Sequence, residues 1–375
     1  MREIFSAGLE ATALRQARRL PLHWWADRHF QSHLVFSVER RISLPQNPPM
    51  SQSTPHRTTS ERNYSRREFL VTTGLGIAGA ALTGCATTTA QPERIIDIHQ
   101  HVNYSDRPDN VLLLHQRAMG VTTTILLPAG RPMKTEATHD GVSNGLEAKA
   151  FGNEACCQFA RAHPKEYRFA ANEVPNVEGA TAEIEKYLKL GAVMIAEQKF
   201  GLECDSPEMQ KIYALAQAYH VPVLMHWQFK RFNYGFERFY KMLEKYPRVN
   251  VIGHAQTWWA NVDKSYLNDE KNLYPKGPIT PGGLTEKYLA DYPNMFGDLS
   301  AGSGLNALTR DETFTTGFFE RHQDKLLYGS DCNDHEGSGP KCQGAQTIAA
   351  VRRFVPNQKI ERKLLYGNAK KLFRL

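Results

Sequence analysis

From Ile95 to the C-terminus two apolar patterns alternate along the chain. Short runs of strand length, rich in Val, Ile, Leu and Met, are each followed by a longer amphipathic stretch of helix length. The runs predict eight strands, over Ile95–His99, Val121–Leu127, Tyr167–Ala171, Ala192–Ala196, Val221–His226, Val249–His254, Met295–Leu299 and Lys325–Ser330. The helices between them carry their own punctuation. Ser206 followed by Pro207 opens a helix expected over Ser206–Tyr219, and Tyr246-Pro247 closes another expected over Phe236–Lys245. Eight strand-helix units fill the 282 residues from Arg94 to Leu375, which predicts an α/β fold of the TIM-barrel type, commonly about 250 residues long. A doubly wound open sheet is the competing arrangement. The strand count and the absence of a G-x-G-x-x-G or P-loop segment weigh against it.

The front of the chain does not follow this rhythm. Ser65-Arg66-Arg67-Glu68-Phe69-Leu70, followed by the Gly-rich apolar stretch Val71–Leu82, resembles a twin-arginine export signal. Phe69 to Cys85 is only 17 residues with four Gly and three Thr, short of the roughly 20 strongly apolar residues that span a membrane. Leu82-Thr83-Gly84-Cys85 is similar to a lipobox, which would make Cys85 the lipidated first residue of the mature protein. Ordinary cleavage near Ala90, releasing a free periplasmic protein, is the alternative. Export signals act from the extreme N-terminus, so translation is expected to start at Met50. The expected organisation is an upstream extension over 1–49, a signal peptide over 50–85, a linker over 86–93 and one catalytic domain over 94–375. The expected location is the periplasm, with membrane contact only through a lipid anchor.

Composition changes this picture little. The 375 residues are 41% hydrophobic and 23% charged, as in ordinary globular proteins. The net charge of +7 invites a nucleic-acid partner until its location is considered. Residues 1–84 carry eleven Arg, no Lys and six acids, leaving 35 basic against 33 acidic residues in the remaining 291. The near-neutral body gives nucleic acid no electrostatic footing, so a small molecule is the expected partner. Six cysteines without any C-x-x-C pair argue against a disulfide scaffold or a thiolate zinc finger.

In a TIM barrel the active site gathers at the C-terminal ends of the strands. Strand one ends Asp97-Ile98-His99-Gln100-His101, and strand alternation places His99 and His101 on one face, where both can reach a single ion. Strand five ends in His226, strand six in His254 and strand eight in Gly329-Ser330-Asp331. Taken singly, an H-x-H pair is commonly incidental and a histidine at a strand end is commonly a hydrogen-bonded structural residue. The ordered series on strands one, five, six and eight is what points to a metal.

That series resembles the amidohydrolase superfamily, and in particular its amidohydrolase-related branch of metal-dependent hydrolases and nonoxidative decarboxylases. The local segments Ile96–His101, Val223–Trp227, Asn250–His254, Tyr328–Asp331 and Tyr366–Phe373 carry the resemblance. It implies His99, His101, His226 and Asp331 as ligands of one zinc-like divalent ion, with Asp331 also shuttling a proton. His254 is implied as an acid/base or carbonyl-polarising residue that does not ligate. Strand four is ambiguous: Ile195-Ala196-Glu197-Gln198-Lys199 turns Glu197 and Lys199 inward, either to bridge a second metal, with Glu197 the better candidate, or to pair with each other.

Other candidates carry less. His115, His163, His220 and His322 fall within or at the ends of expected helices, where solvent or a helix C-terminus satisfies them. Cys156-Cys157 reads as small core residues, and the resemblance assigns Cys332 no role. Trp227, Phe229, Phe232, Tyr234, Trp258 and Trp259 crowd the loops after strands five and six, as an aromatic-walled substrate pocket or as loop packing. The expected function is a metal-dependent hydrolase of a small ester, lactone or amide. A metal-dependent decarboxylase of an aromatic or unsaturated acid, and a noncatalytic metal-binding lipoprotein, are the alternatives.

Overall fold

The computed structural model describes residues 93–129 and 150–375. The expected extension, export signal and Cys85 lie outside these residues. Eight strands follow in order: β1 (Ile96–Gln100), β2 (Thr123–Leu126), β3 (Tyr167–Phe169), β4 (Ile195–Gln198), β5 (Val223–His226), β6 (Val251–His254), β7 (Met295–Asp298) and β8 (Leu326–Leu327). The helices between and after them are α1 (Asp109–Ala118), α2 (Asn153–Ala162), α3 (Ala180–Lys189), α4 (Pro207–Tyr219), α5 (Tyr240–Lys245), α6 (Ala255–Ala260) and α7 (Leu284–Asp291). They continue as α8 (Ala301–Thr309), α9 (Glu312–His322), α10 (Gln343–Phe354), α11 (Gln358–Arg362) and α12 (Asn368–Phe373).

Every strand pairing is parallel, in the orders β1-β2-β3 and β4-β5-β6-β7-β8. Two seams join these runs. Ala196 N donates to Ala171 O at 2.8 Å and Val193 N to Phe169 O at 2.9 Å, linking β3 to β4. Ile98 N donates to Tyr328 O at 3.1 Å, linking β1 to the end of β8 and closing the circle. The predicted TIM barrel is the observed fold.

Inward residues of the strands, among them Ile96, Ile125, Met194, Leu224, Ile252 and Leu327, form one buried cluster inside the barrel. Ala369 and Phe373 of α12 join that cluster, so the C-terminal helix closes the end of the barrel opposite the strand tips. A larger cluster lies between strands and helices. Local chemistry sets the boundaries as expected for α4, where Ser206 caps by accepting Met209 N at 3.2 Å. The helix expected over Phe236–Lys245 instead begins as a 3-10 turn, Phe236–Arg238, with α5 starting at Tyr240. Phe236 and Phe239 are both buried, so anchoring aromatics to the core takes precedence over one continuous helix there.

Two irregularities position the chemistry. Between Asp97 and Gln100, β1 uses three steps where β2 uses two, from Thr124 to Leu126. Likewise β4 advances from Ile195 to Gln198 while β5 advances only from Val223 to Met225. Each extra residue is a bulge, which breaks alternation and lets two successive residues turn to the same side. Ile98 and His99 both face the barrel interior, as do Ala196 and Glu197.

Candidate metal centre

Four imidazoles and three carboxylates converge at the C-terminal ends of the strands: His99 and His101 from β1 and the residue after it, Glu197 from β4, His226 from β5, His254 from β6, Asp298 from β7 and Asp331 after β8. All are buried except Asp331, whose side chain is 13% exposed. Strict alternation in strand one, expected from the sequence, is corrected here. The bulge, rather than alternation, brings His99 inward beside Ile98, and His101 lies beyond the strand's end.

Each candidate ligand has its ring fixed from behind. His99 Nδ1 lies 2.7 Å from Asp298 Oδ2, His101 Nδ1 2.8 Å from Leu127 O and His226 Nδ1 2.5 Å from Glu197 Oε1. A carboxylate and a carbonyl can only accept, so Nδ1 carries the proton in all three rings and Nε2 presents a lone pair. Those Nε2 atoms, with Glu197 Oε2, have no hydrogen-bond partner in the site and are fully buried. A buried polar atom left unsatisfied costs about 1–3 kcal/mol, so four of them around one locus are accounted for by a cation. Glu197 Oε2 lies 3.9 Å from His99 Nε2 and 3.8 Å from His101 Nε2, and Asp331 Oδ1 lies 3.7 Å and 3.6 Å from the same two nitrogens. The donor set fits a divalent metal held by imidazole and carboxylate.

Electrostatics agree. Burial raises the Asp331 carboxyl, but His99, His101 and His254 outweigh it and hold it well below the usual range. Burial likewise acts upward on Asp298, and His254 and His99 bring it down to about 2. His99 is pulled down by burial yet pushed up to about 10 by Asp331, Asp298 and Glu197. Without a cation, a proton on His99 is what offsets the cluster's negative charge. His226 goes the other way, to about 4, because burial and the Lys199 charge outweigh Glu197.

His254 is placed differently. Its Nδ1 is 3.0 Å from Ser300 Oγ and 3.3 Å from Asp298 Oδ2, while Nε2 faces Asp331 Oδ2 at 3.7 Å and Glu197 Oε1 at 3.6 Å. Asp298 and Ser300, which orient two histidines, were missed at the level of sequence, although Asp298 closes an apolar run as the other site residues do. Tyr104, whose OH donates to Asp331 Oδ1 at 3.0 Å, gave no sequence signal.

Lys199 does not pair with Glu197. Its Nζ lies over the Phe232 ring, 5.4 Å from the centroid, and the Glu197 carboxylate pairs with His226. Trp227, Phe229, Phe232 and Tyr234 line a cavity of about 230 Å³ beside the site. Trp258 and Trp259 do not line it. They are buried beneath it, Trp258 stacked on Trp227 at 6.0 Å and Trp259 donating from Nε1 to Asp298 O at 3.0 Å. His163 packs on Phe159 and Tyr167, His220 terminates α4 with φ 54°, and His322 approaches Glu286 at 3.8 Å. His115 departs from its expected satisfaction by solvent: it is fully buried against Cys342 and Asp334.

The amidohydrolase family profile matches residues 96–375, and the chain belongs to that family. Among solved structures it is similar to an uncharacterized TIM-barrel protein from Bordetella bronchiseptica, with a TM-score of 0.52 and 13% identity over 75% of this chain and 98% of the other. It is similar also to a probable 2-pyrone-4,6-dicarboxylic acid hydrolase from Acinetobacter baumannii, with a TM-score of 0.50 and 15% identity over 75% and 99% of the two chains. A 5-carboxyvanillate decarboxylase from Sphingomonas paucimobilis aligns with a TM-score of 0.49 and 15% identity over 76% and 99%. These likenesses concern the fold. No curated protein matches the chain in sequence. Enzymes of this family typically use a divalent metal, and the buried cluster supplies the ligands for one.

Proposed function

We propose that the chain is a metal-dependent hydrolase of a small organic ester, lactone or amide, with one zinc ion held by His99, His101, His226 and Asp331. The observation that carries this reading is the set of three buried, unpartnered Nε2 atoms converging beside two carboxylates, with the His254 imidazole in the same group but held at Nδ1 by Ser300. A bound divalent cation would supply Lewis acidity and acidify a water. Asp331, with Oδ1 held by Tyr104, offers Oδ2 to take that water's proton. His254, held at Nδ1 by Ser300 Oγ at 3.0 Å and the Asp298 carboxylate at 3.3 Å, turns Nε2 toward the locus, where it can hydrogen-bond the oxygen that gathers negative charge. Glu197 orients His226 and leaves Oε2 toward the same locus, where it is the better candidate for a second ion.

Lys199 favours a substrate that carries a carboxylate, since its buried Nζ lies over the Phe232 ring and makes no close ion pair among the described residues, the Glu197 carboxylate acting on it only at longer range. The same feature favours the second reading, decarboxylation of an aromatic or unsaturated acid. The test is metal analysis of purified protein joined to turnover assays on lactones, amides and aromatic acids. Chelator-sensitive ring opening or amide cleavage supports the proposal. Carbon dioxide release selects the second reading, and turnover indifferent to metal removal overturns both. We also propose twin-arginine export with Cys85 as the lipidated N-terminus. Replacing Arg66 and Arg67 by Lys should strand the chain in the cytoplasm, and a mature N-terminus near Ala90 would refute the lipid anchor.

A further inference from the structure

A second group of metal-ligating side chains lies away from the barrel mouth. His115 of α1, Cys332 and Asp334 of the loop after β8, and Cys342 at the N-cap of α10 bring one ligand atom each to within 4.8 Å of one another. His115 and Cys342 are fully buried and Cys332 is 2% exposed. The cysteines are free thiols with Sγ atoms 3.7 Å apart. His115 Nε2 lies 3.6 Å from Cys342 Sγ and 3.3 Å from Asp334 Oδ2.

These three separations have a common explanation. With metal–sulfur bonds of about 2.3 Å and metal–nitrogen or metal–oxygen bonds of about 2.0–2.1 Å, tetrahedral angles require S–S, S–N and N–O edges of about 3.8, 3.6 and 3.4 Å. The observed edges are 3.7, 3.6 and 3.3 Å. A disulfide would need sulfurs about 2.05 Å apart. We propose that His115, Cys332, Asp334 and Cys342 form a second, structural metal centre, a closed tetrahedral site for a zinc-class cation that ties α1 to the loop carrying Asp331.

The surroundings suit that role. The Cys342 sulfur accepts Ala345 N at 3.4 Å at the first turn of α10, where a thiolate is favoured. The Gln116 amide nitrogen lies 3.5 Å from His115 Nδ1, on the ring edge away from the cluster, and Nε2 is the ring nitrogen turned toward Cys342 and Asp334. On binding, both thiols release their protons, and two thiolates, one carboxylate and a divalent cation leave a net charge of about −1. Arg107, fully buried, donates from Nη1 to Cys332 O at 2.8 Å and to Asp334 O at 2.9 Å. Among the described residues none of its hydrogen bonds runs to a carboxylate; Cys332, Asp97 and Asp334 act on its charge through space, and two of these three belong to the cluster.

The location explains what such a site would do. Cys332 directly follows Asp331, which holds a left-handed φ of 43°, a conformation that few non-glycine residues adopt. Asp331 N also donates to His99 O at 2.8 Å across the seam where the barrel closes. A cation gripping Cys332 and Asp334 from the far side would clamp that seam and set the Asp331 carboxylate.

The proposal is tested on full-length protein produced in cobalt-supplemented medium, by metal content and absorption. The barrel-mouth donors are nitrogen and oxygen only, so a thiolate-to-cobalt charge-transfer band reports this cluster and is read without any substrate. The expected result is about two metal equivalents per chain with the band present. In Cys342→Ala the band and one equivalent should be lost, whereas His226→Ala should lose the other equivalent and keep the band. Absence of the band in the wild-type protein overturns the proposal, as does its persistence in Cys342→Ala. Recovery of Cys332 and Cys342 as a disulfide from the protein as isolated overturns it too. The wild-type spectrum decides the matter even if a variant fails to fold, and inactivity toward every substrate leaves it untouched.

Discussion

His254 and Asp298 sit at adjoining positions of one hydrogen-bonded group, yet their substitution should fail in different ways. His254 offers Nε2 to the reacting locus while five other side chains remain to hold a cation. His254→Asn should therefore keep its metal and lose roughly 10²-fold or more in turnover, the scale of a positioned acid/base or oxyanion donor. Near-normal turnover on an identified substrate would make this histidine structural. Asp331→Asn should lose more, since in the proposed site it removes both a ligand and the proton acceptor. Asp298 belongs to none of the candidate ligand groups but fixes His99 through a 2.7 Å bond. Asp298→Asn should weaken metal affinity by about 10- to 100-fold, the usual cost of removing a carboxylate behind a ligating histidine. Competition against a chelator measures it, and an unchanged affinity would show that the 2.7 Å contact does not tune His99.

At the scale of elements, the site depends on strand tips whose phase is set by bulges and whose backs are packed without slack. The bulge in β1 turns His99 inward after Ile98, and the bulge in β4 does the same for Glu197 after Ala196. In β6 the tight contact is Gly253, where a Cβ would come within 2.4 Å of the Trp258 ring. That ring stacks on Trp227 in the layer beneath the pocket and has nowhere to withdraw. Gly253→Ala should destabilise the fold by about 1–3 kcal/mol, as overpacked cores do. Denaturant unfolding reads the change, and a stability equal to that of the parent would mean that Trp258 repacks freely.

For the whole molecule, the charge cluster predicts how stability depends on pH in the metal-free state. His226, with a pKa lowered from 6.5 to about 4, binds a proton less readily folded than unfolded, so its contribution grows as pH rises from 4 and is complete above 6.5. His99, raised from 6.5 to about 10, contributes fully below 6.5 and loses that contribution as pH rises toward 10. Asp298, lowered to about 2, adds stability above its unfolded value of 3.8 and loses it as pH falls from there. Metal-free protein should thus be most stable near pH 6.5. A bound cation displaces the His99 proton and binds better as ligands deprotonate, so zinc-loaded protein should have its maximum at higher pH. Thermal melts from pH 4 to 10, with chelator and with zinc, check this. Superimposable profiles would mean that the cation and the His99 proton do not compete.

The sequence by itself determined the eight-unit α/β rhythm and the polar residues that close the apolar runs. Burial demands apolar strand interiors, and catalysis demands polar tips, so both leave marks at fixed spacing. His99, His101, His226, His254 and Asp331 were legible for that reason. Tyr104 and Ser300 were not, because a side chain that works by hydrogen bonding to another has no periodic signature. Only the tertiary structure decided which way Glu197 and Lys199 act. A one-residue bulge changes the facing of a strand without changing its composition, and the pairing partner that exposes it lies on another strand. The grouping of His115 with Cys332, Asp334 and Cys342 was beyond sequence for a related reason. The ligands come from the first and last units of the barrel, more than 200 residues apart, and only closure of the circle between β8 and β1 brings them together.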